Sequence, residues 1–224
     1  MIGRALLLIG SPRGDRSNSI QIGSYLTDRL QEKGVEIEKL LIIRLLGTDE
    51  GQRQLLTAVD AADLIVLAFP LYVDCLPSQT IRAMELIQEH RKANQKKQKL
   101  MAIVNSGFPE PHQNQIAADI CRKFAAEAGF EWMGCARIGI GMAVRARPLE
   151  ETKKLTGKLM KGLDQAAELL ADGKPLTPQV ESKLYLSLMS PLMVMFMRAR
   201  FNTIWDNMAS PYALERMYDR PYNQ

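Results

Sequence analysis

The sequence predicts an α/β protein: a three-layer α/β/α sandwich on a five-stranded parallel sheet, with a C-terminal helical extension. Three observations carry this. Five apolar runs of strand length recur up to residue 139, and helical patterns separate them. Runs one, three and four are apolar without alternation, as strands covered on both faces must be. No internal repeat or low-complexity segment offers another architecture, and right-handed crossovers complete the sandwich.

The elements follow in order. The run "RALLLIG" at 4–10 is the first strand. A helix over 19–33 places Ile22, Tyr25, Leu26 and Leu30 on one face, and Gly34 closes it. The second strand is "VEIEKLLI" at 35–42, followed by a helix over 52–61. The third strand, "DLIVLAF" at 63–69, leads to a helix over 78–91. The fourth, "LMAIVNS" at 100–106, leads to a helix over 114–128, which Gly129 closes. The fifth is "FEWMGCARIG" at 130–139. After Ile140 the alternation stops. A last sheet-packing helix spans 150–171, and "DGKPLTP" then breaks the chain. The expected division is a domain over 1–174 and an extension over 175–224.

Composition narrows the class. With 224 residues, 46% of them hydrophobic and 24% charged, the chain can bury a core without staples. Cys75, Cys121 and Cys135 are too few and too scattered for a disulfide framework or a zinc pattern. A reducing compartment, the cytoplasm, is the simpler expectation. The opening "MIGRALLLIGSPRG" has too short an apolar run for a signal peptide and reads as the first strand. The net charge of +4 and the pI of about 9.0 are spread along the chain and suit an anionic ligand. The densest basic stretch, "HRKANQKKQK", reads as a solvated corner that includes His90. No recognition motif accompanies it, so no nucleic-acid partner is expected.

Three loops carry the chemistry. Ligands of such sheets sit beyond the carboxyl ends of the strands. "GSPRGDRSNS", after strand one, enters a helix whose free N–H groups and positive dipole end favour phosphate. Gly10 allows a tight turn. Ser11, Ser17 and Ser19 add hydroxyls, Asn18 an amide and a capping option, and Arg13 or Arg16 a charge. No Walker or G-x-G-x-x-G pattern is present, and Gly139-Ile140-Gly141 lacks the third glycine. "AFPLYVDCLPSQ", after strand three, brackets Leu71 and Tyr72 between Pro70 and Pro77, offering a stacking surface to a flat ligand. "NSGFPEPHQNQ", after strand four, brings the hydrogen-bonding Asn105 and Ser106. Gly107 permits close approach there, and Phe108 is poorly placed for a core. Each loop also has a plain reading: a capped turn, a Pro-bounded turn, and an N-cap supplied by Asn114. Their convergence on one rim favours a site.

At these residues the chain resembles the flavodoxin-like NAD(P)H-dependent FMN reductase family, and most closely its iron–sulfur-flavoprotein branch. The matching pieces are "GSPRGDRSNS", "FPLYVDCLP", "NSGFPEPHQN" and "AGFEWMGCARIGIG". The resemblance implies that Ser11, Arg13, Ser17, Asn18 and Ser19 hold the FMN phosphate. It implies that Pro70, Leu71 and Tyr72 line the isoalloxazine, and that Asn105, Ser106, Gly107 and Phe108 contact its far edge. The compact cysteine cluster of that branch is missing, so no iron–sulfur centre or other metal is expected. Asp15 is a departure, an acid near an anion that either points outward or pairs with an arginine.

The implied chemistry is hydride transfer from NAD(P)H to the flavin, then electrons to a quinone, an added flavin or another small acceptor. The cofactor does the reaction, and no catalytic side-chain set is evident. The rival reading is a flavodoxin-like electron carrier without NAD(P)H activity. His112, in the third loop, either touches ligand or lies on the surface; Cys75 either does redox work or is a bystander. The Met-rich tail from Lys183 to Met208, with Phe196, Phe201 and Trp205, fits three roles: an extra layer on the domain, a homo-oligomer interface, or peripheral membrane contact.

Overall fold

The computed structural model describes residues 1–92, 96–200 and 203. Six strands form one sheet in the order β2-β1-β3-β4-β5-β6, every pairing parallel. They are β1 (Arg4–Ile9), β2 (Glu36–Leu41), β3 (Leu64–Pro70), β4 (Gln98–Asn105), β5 (Phe130–Gly139) and β6 (Tyr185–Ser187). The helices are α1 (Asn18–Gln31), the single-turn α2 (Ile42–Leu45), α3 (Asp49–Ala61), α4 (Ser78–Arg91), α5 (Gln115–Glu127), α6 (Lys153–Ala171), α7 (Pro178–Leu184) and α8 (Pro191–Ala199). Gly34 and Gly129, at φ +86° and +72°, occupy the left-handed positions that end α1 and α5.

The central strands are buried because both faces are covered. On one face Leu6 and Leu8 of β1 meet Leu55 and Val59 of α3, with Ala83 and Ile87 of α4 and Phe124 of α5 in the same cluster. The other face takes α1 and α6. There α1 comes so close that a Cβ on Gly23 would lie 2.7 Å from Leu7 Cδ1. This covering makes runs one and three apolar throughout; the edge strand β2 is mostly half-buried, with Glu36 and Lys39 exposed.

Two sequence expectations need correction. The sheet has a sixth strand, and the compact unit runs from Met1 to Leu188, beyond the expected boundary at 174. The break at Asp172–Pro178 does not end the domain, because Leu176, Val180, Leu184 and Leu188 are all buried. Leu184 fits against Gly162 of α6, where a Cβ would stand 2.8 Å from Leu184 Cδ2. The chain then returns to β5 as a three-residue strand, too short to announce itself in sequence. The second unit, Met189–Gln224, is described through α8, on which Leu192, Met195 and Phe196 are exposed. Phe201 and Trp205 lie outside the described residues. No described helix is long and apolar enough to cross a membrane.

The α1–α6 contact makes a prediction. The Tyr25 hydroxyl donates to Asp164 Oδ1 at 2.8 Å, and burial first, then that carboxylate, push the phenol up to about 12 from its ordinary 10.0. As pH rises between those values the unfolded chain releases its proton first, so the unfolded state binds fewer protons and stability falls. The loss of stability from pH 10 to 12, read by denaturant titration, should be shallower in Tyr25→Phe than in the parent.

Candidate functional site

The strand ends align to make a rim. In register, Ile9 faces Ala68, Pro70 faces Asn105, and Asn105 faces Ile138. Beyond these residues the three loops open a cleft of about 170 Å³. Eleven of the twelve residues singled out in sequence line it. They are Ser11, Arg13, Ser17, Asn18 and Ser19 from the first loop, Pro70, Leu71 and Tyr72 from the second, and Asn105, Ser106 and Gly107 from the third. Phe108 is not among its walls. Its carbonyl accepts from the Ile140 N–H at 2.7 Å and the Ser106 hydroxyl at 3.3 Å, and its side chain is exposed.

The first loop is a shaped anion cradle. Gly14 sits at φ +54°, its N–H bonded to the Ser11 carbonyl at 3.0 Å. Ser17 caps α1: its hydroxyl donates to the Gly14 carbonyl at 2.7 Å and accepts from the Ile20 N–H at 3.3 Å. Ser17 therefore spends its one proton on the loop itself, and Asn18 is not the cap. The groups left to donate are the Ser11 hydroxyl, the Asn18 amide nitrogen, the Arg13 guanidinium and the first main-chain N–H groups of α1. Asp15 is turned away from this set by an ion pair with Arg44.

A buried knot ties the three loops together. Asn105 Nδ2 donates to Ser19 Oγ at 2.8 Å and to the Phe69 carbonyl at 3.1 Å, and its own carbonyl accepts from the Leu71 N–H at 2.8 Å. Ser19 and Asn105 are 1% and 4% exposed, so both act mainly on each other. Tyr72 and Cys75 form a tight antiparallel bridge around Val73 and Asp74, at φ 48° and 59°. That conformation is costly for a β-branched residue, and it leaves Val73 fully in solvent.

Sequence reasoning missed three supports behind this wall. Thr80, fully buried at the start of α4, donates to the Gly10 carbonyl at 3.0 Å. Asn114 does not cap α5 with its side chain; its amide reaches the Ile138 carbonyl at 3.3 Å and Ser106 Oγ at 3.4 Å. Gly139 and Gly141, discounted as a nucleotide motif, let the β5 end close on the third loop: a Cβ would lie 2.4 Å from the Pro109 carbonyl or 2.7 Å from Asn105 Oδ1. The only available signal was a glycine pair at a strand end. His112 is exposed; His90 pairs with Asp60 at 2.8 Å. Cys75 is half-buried, whereas burial pushes the Cys135 thiol up to about 12 and the Cys121 thiol up as well. Among the described residues no three metal-ligating side chains come together.

A second cleft of about 160 Å³ lies between α5 and β5; several of its polar groups pair with one another, while Arg137 Nε is buried without a partner. Asp119 takes Arg122 at 2.9 Å and Gln115 at 3.0 Å, and Glu181 accepts from the Cys135 N–H at 3.2 Å.

The sequence profile of the NADPH-dependent FMN reductase family matches residues 4–130. Among curated proteins no relative matches. Of the solved structures, an FMN-dependent NADH-azoreductase from Bacillus anthracis, in complex with FMN, is 16% identical. It aligns over 75% of this chain and 99% of its own, with a TM-score of 0.57. A flavodoxin from Streptococcus pneumoniae is 18% identical over 76% of this chain and 99% of its own, at 0.53. An NADH:FMN oxidoreductase, EmoB in its apo form, is 12% identical over 80% and 94%, at 0.55. These likenesses show the flavodoxin-like fold.

Proposed function

Because the chain belongs to the NADPH-dependent FMN reductase family, we propose that the rim cleft holds FMN and that the protein passes electrons from a nicotinamide to a small acceptor, a quinone or a free flavin. One observation carries the reading: loops after β1, β3 and β4, far apart in sequence, supply a phosphate-type donor set and a flat wall to a single cleft.

The residues fit the group. The Ser11 hydroxyl, Asn18 amide, Arg13 guanidinium and the start of α1 suit a phosphate dianion, and no carboxylate opposes them since Asp15 is paired. Ser17 shapes this cradle from behind, and Ser19 with Asn105 locks it to the far wall. Pro70, Leu71 and Tyr72 give a stiff face for a planar ring. Gly107 offers main chain to its polar edge, whereas the N–H and carbonyl of Ser106 are bonded to Ile138 and Gly141. When bound, FMN supplies hydride acceptance and onward electron transfer; the side chains bind and orient.

Absorbance spectroscopy of the purified protein tests this. A yellow protein that bleaches with anaerobic NADPH and is reoxidised by a quinone supports the proposal. A yellow protein inert to NAD(P)H supports the electron-carrier alternative, and a colourless one that cannot be loaded with FMN overturns both. In Arg13→Ala, FMN should bind about 10- to 100-fold more weakly, from the loss of one charge-assisted bond of ~1.5–3 kcal/mol. Arg13 is exposed and leaves the fold intact, so melting of the apoprotein should not move.

A further inference from the structure

The described helix of the second unit carries its own start signal. Ser190 caps α8: its hydroxyl accepts from the Met193 N–H at 3.3 Å, and its carbonyl accepts from the Val194 N–H at 3.0 Å. Pro191 fills the first helical position. At about 100° per residue, Leu192, Met193, Met195, Phe196 and Ala199 share an arc of about 160° with Arg200, just past the helix end. All six are exposed, Leu192 at 72%, Met195 at 63% and Phe196 at 60%. Val194, half-buried, lies on the opposite side. The solvent side of a helix that merely packs on a domain is polar, whereas five of these six exposed side chains are apolar. Large apolar groups gathered on one exposed face mark a contact surface.

Charge says what the surface meets. Between Glu181 and Asp206 the chain has no acidic residue, and its charges there are Lys183, Arg198 and Arg200. The Arg200 guanidinium lies 4.9 Å from the Phe196 ring centroid. An apolar ring with a cation over it suits the boundary between acyl chains and headgroups: the ring sinks, and the guanidinium stays with lipid phosphate. An anionic bilayer adds attraction for every cation of the segment.

Size speaks against the other occupants. α8 has nine residues and is about 14 Å long, too short to cross roughly 30 Å of hydrocarbon. Two copies meeting through this face alone would bury on the order of 500 Å², well short of the roughly 1,200 Å² at which stable interfaces begin. A bilayer asks for no such area, because it takes up each apolar side chain separately.

We propose that α8 is a peripheral membrane anchor, its apolar face lying in the headgroup boundary of an anionic bilayer and drawn there by the positive charge of Lys183, Arg198 and Arg200. The inference does not depend on what the rim cleft binds. Flotation of the full chain with vesicles tests it, with phosphatidylcholine alone set against phosphatidylcholine mixed with phosphatidylglycerol. At low salt the parent should bind the mixed vesicles at least about tenfold more strongly, and the preference should shrink at high salt. Leu192→Glu/Phe196→Glu should weaken binding to the mixed vesicles by at least about tenfold. Met195→Gln, a milder change on the same face, should fall between the parent and that variant. Arg198→Gln/Arg200→Gln should keep the weak binding to phosphatidylcholine and lose most of the preference. A parent that stays off anionic vesicles overturns the proposal, as does undiminished binding by Leu192→Glu/Phe196→Glu. A parent that ignores vesicles and sediments as a dimer, which the same double substitution splits, overturns it in favour of a second copy on this face.

Discussion

Arg91→Ala should lower stability by about 3–5 kcal/mol. Arg91 ends α4 and is 1% exposed. Its Nε donates to the Ala128 carbonyl at 2.6 Å; its terminal nitrogens reach the Lys96 and Gly129 carbonyls at 2.9 and 3.2 Å and the Gln98 side chain. The guanidinium lies 3.9 Å from the Phe130 ring centroid. Gln98 passes the network on, donating to the Ala62 carbonyl at 2.6 Å and to the Val59 carbonyl. One side chain thus closes the ends of α3, α4 and α5 over the starts of β4 and β5. Removing it orphans the buried Ala128 carbonyl and Gln98 Oε1, each costing about 1–3 kcal/mol, together with two part-buried carbonyls. For a domain of this size the melting midpoint should fall by roughly 10 °C, and calorimetry will read it. Arg91→Lys should recover less than half, since one ammonium cannot span the fork. A shift under about 2 °C would mean that the network adds nothing. The network sits at the amino ends of the strands, opposite the cleft, so the folded fraction should bind FMN as the parent does.

That residue also marks where the sequence stops being legible. Arg91 falls in "HRKANQKKQK", and as sequence that stretch is a solvated corner. For most of its described lysines it is: Lys92 pairs with Glu89, Lys96 lies 3.8 Å from Asp63, and Lys99 pairs with Glu131. Local composition cannot distinguish the one described cation that turns inward, because two of its acceptors, the Ala128 and Gly129 carbonyls, lie 37 and 38 residues away. The strand and helix pattern was legible for the opposite reason. It depends on burial on two faces, which leaves a run of apolar residues in one short window. The cleft was legible because fold geometry sends the β1, β3 and β4 loops to one rim whatever their details. Roles within the cleft were less so. Ser17, Ser19 and Asn105 looked like ligand donors, yet each spends hydrogen bonds on another loop residue or on a neighbouring wall. β6 was invisible, since three residues beside a buried leucine carry no period.

Gly10→Ala should weaken FMN binding by about 100-fold without touching any group that would contact the ligand. The glycine is not there for a left-handed turn. It is clamped: its N–H donates to the Ala68 carbonyl at 2.9 Å, and its carbonyl accepts from Thr80 Oγ1 at 3.0 Å. A Cβ would stand 2.2 Å from that same Oγ1, 3.0 Å from Phe69 Cβ and 3.1 Å from Thr80 Cγ2. Thr80 is fully buried and held by its own hydrogen bond, so it cannot swing clear. Either the start of α4 or the end of β1 must retreat, at about 1–3 kcal/mol for the overpacking. The retreat falls on Ser11 and the cradle that follows. Displacements near 1 Å at such a site cost on the order of 100-fold. Thr80→Ala removes two of the three close atoms, so the two substitutions should couple. The double variant should bind FMN more tightly than Gly10→Ala alone, with an interaction of ~1–2 kcal/mol in the cycle. Additive losses would show that Gly10 acts through something other than its contact with Thr80. Parent-like FMN affinity in Gly10→Ala would show that the cradle tolerates the displacement. With coupling, the first turn of α4 becomes part of the phosphate site, although none of its atoms lines the cleft.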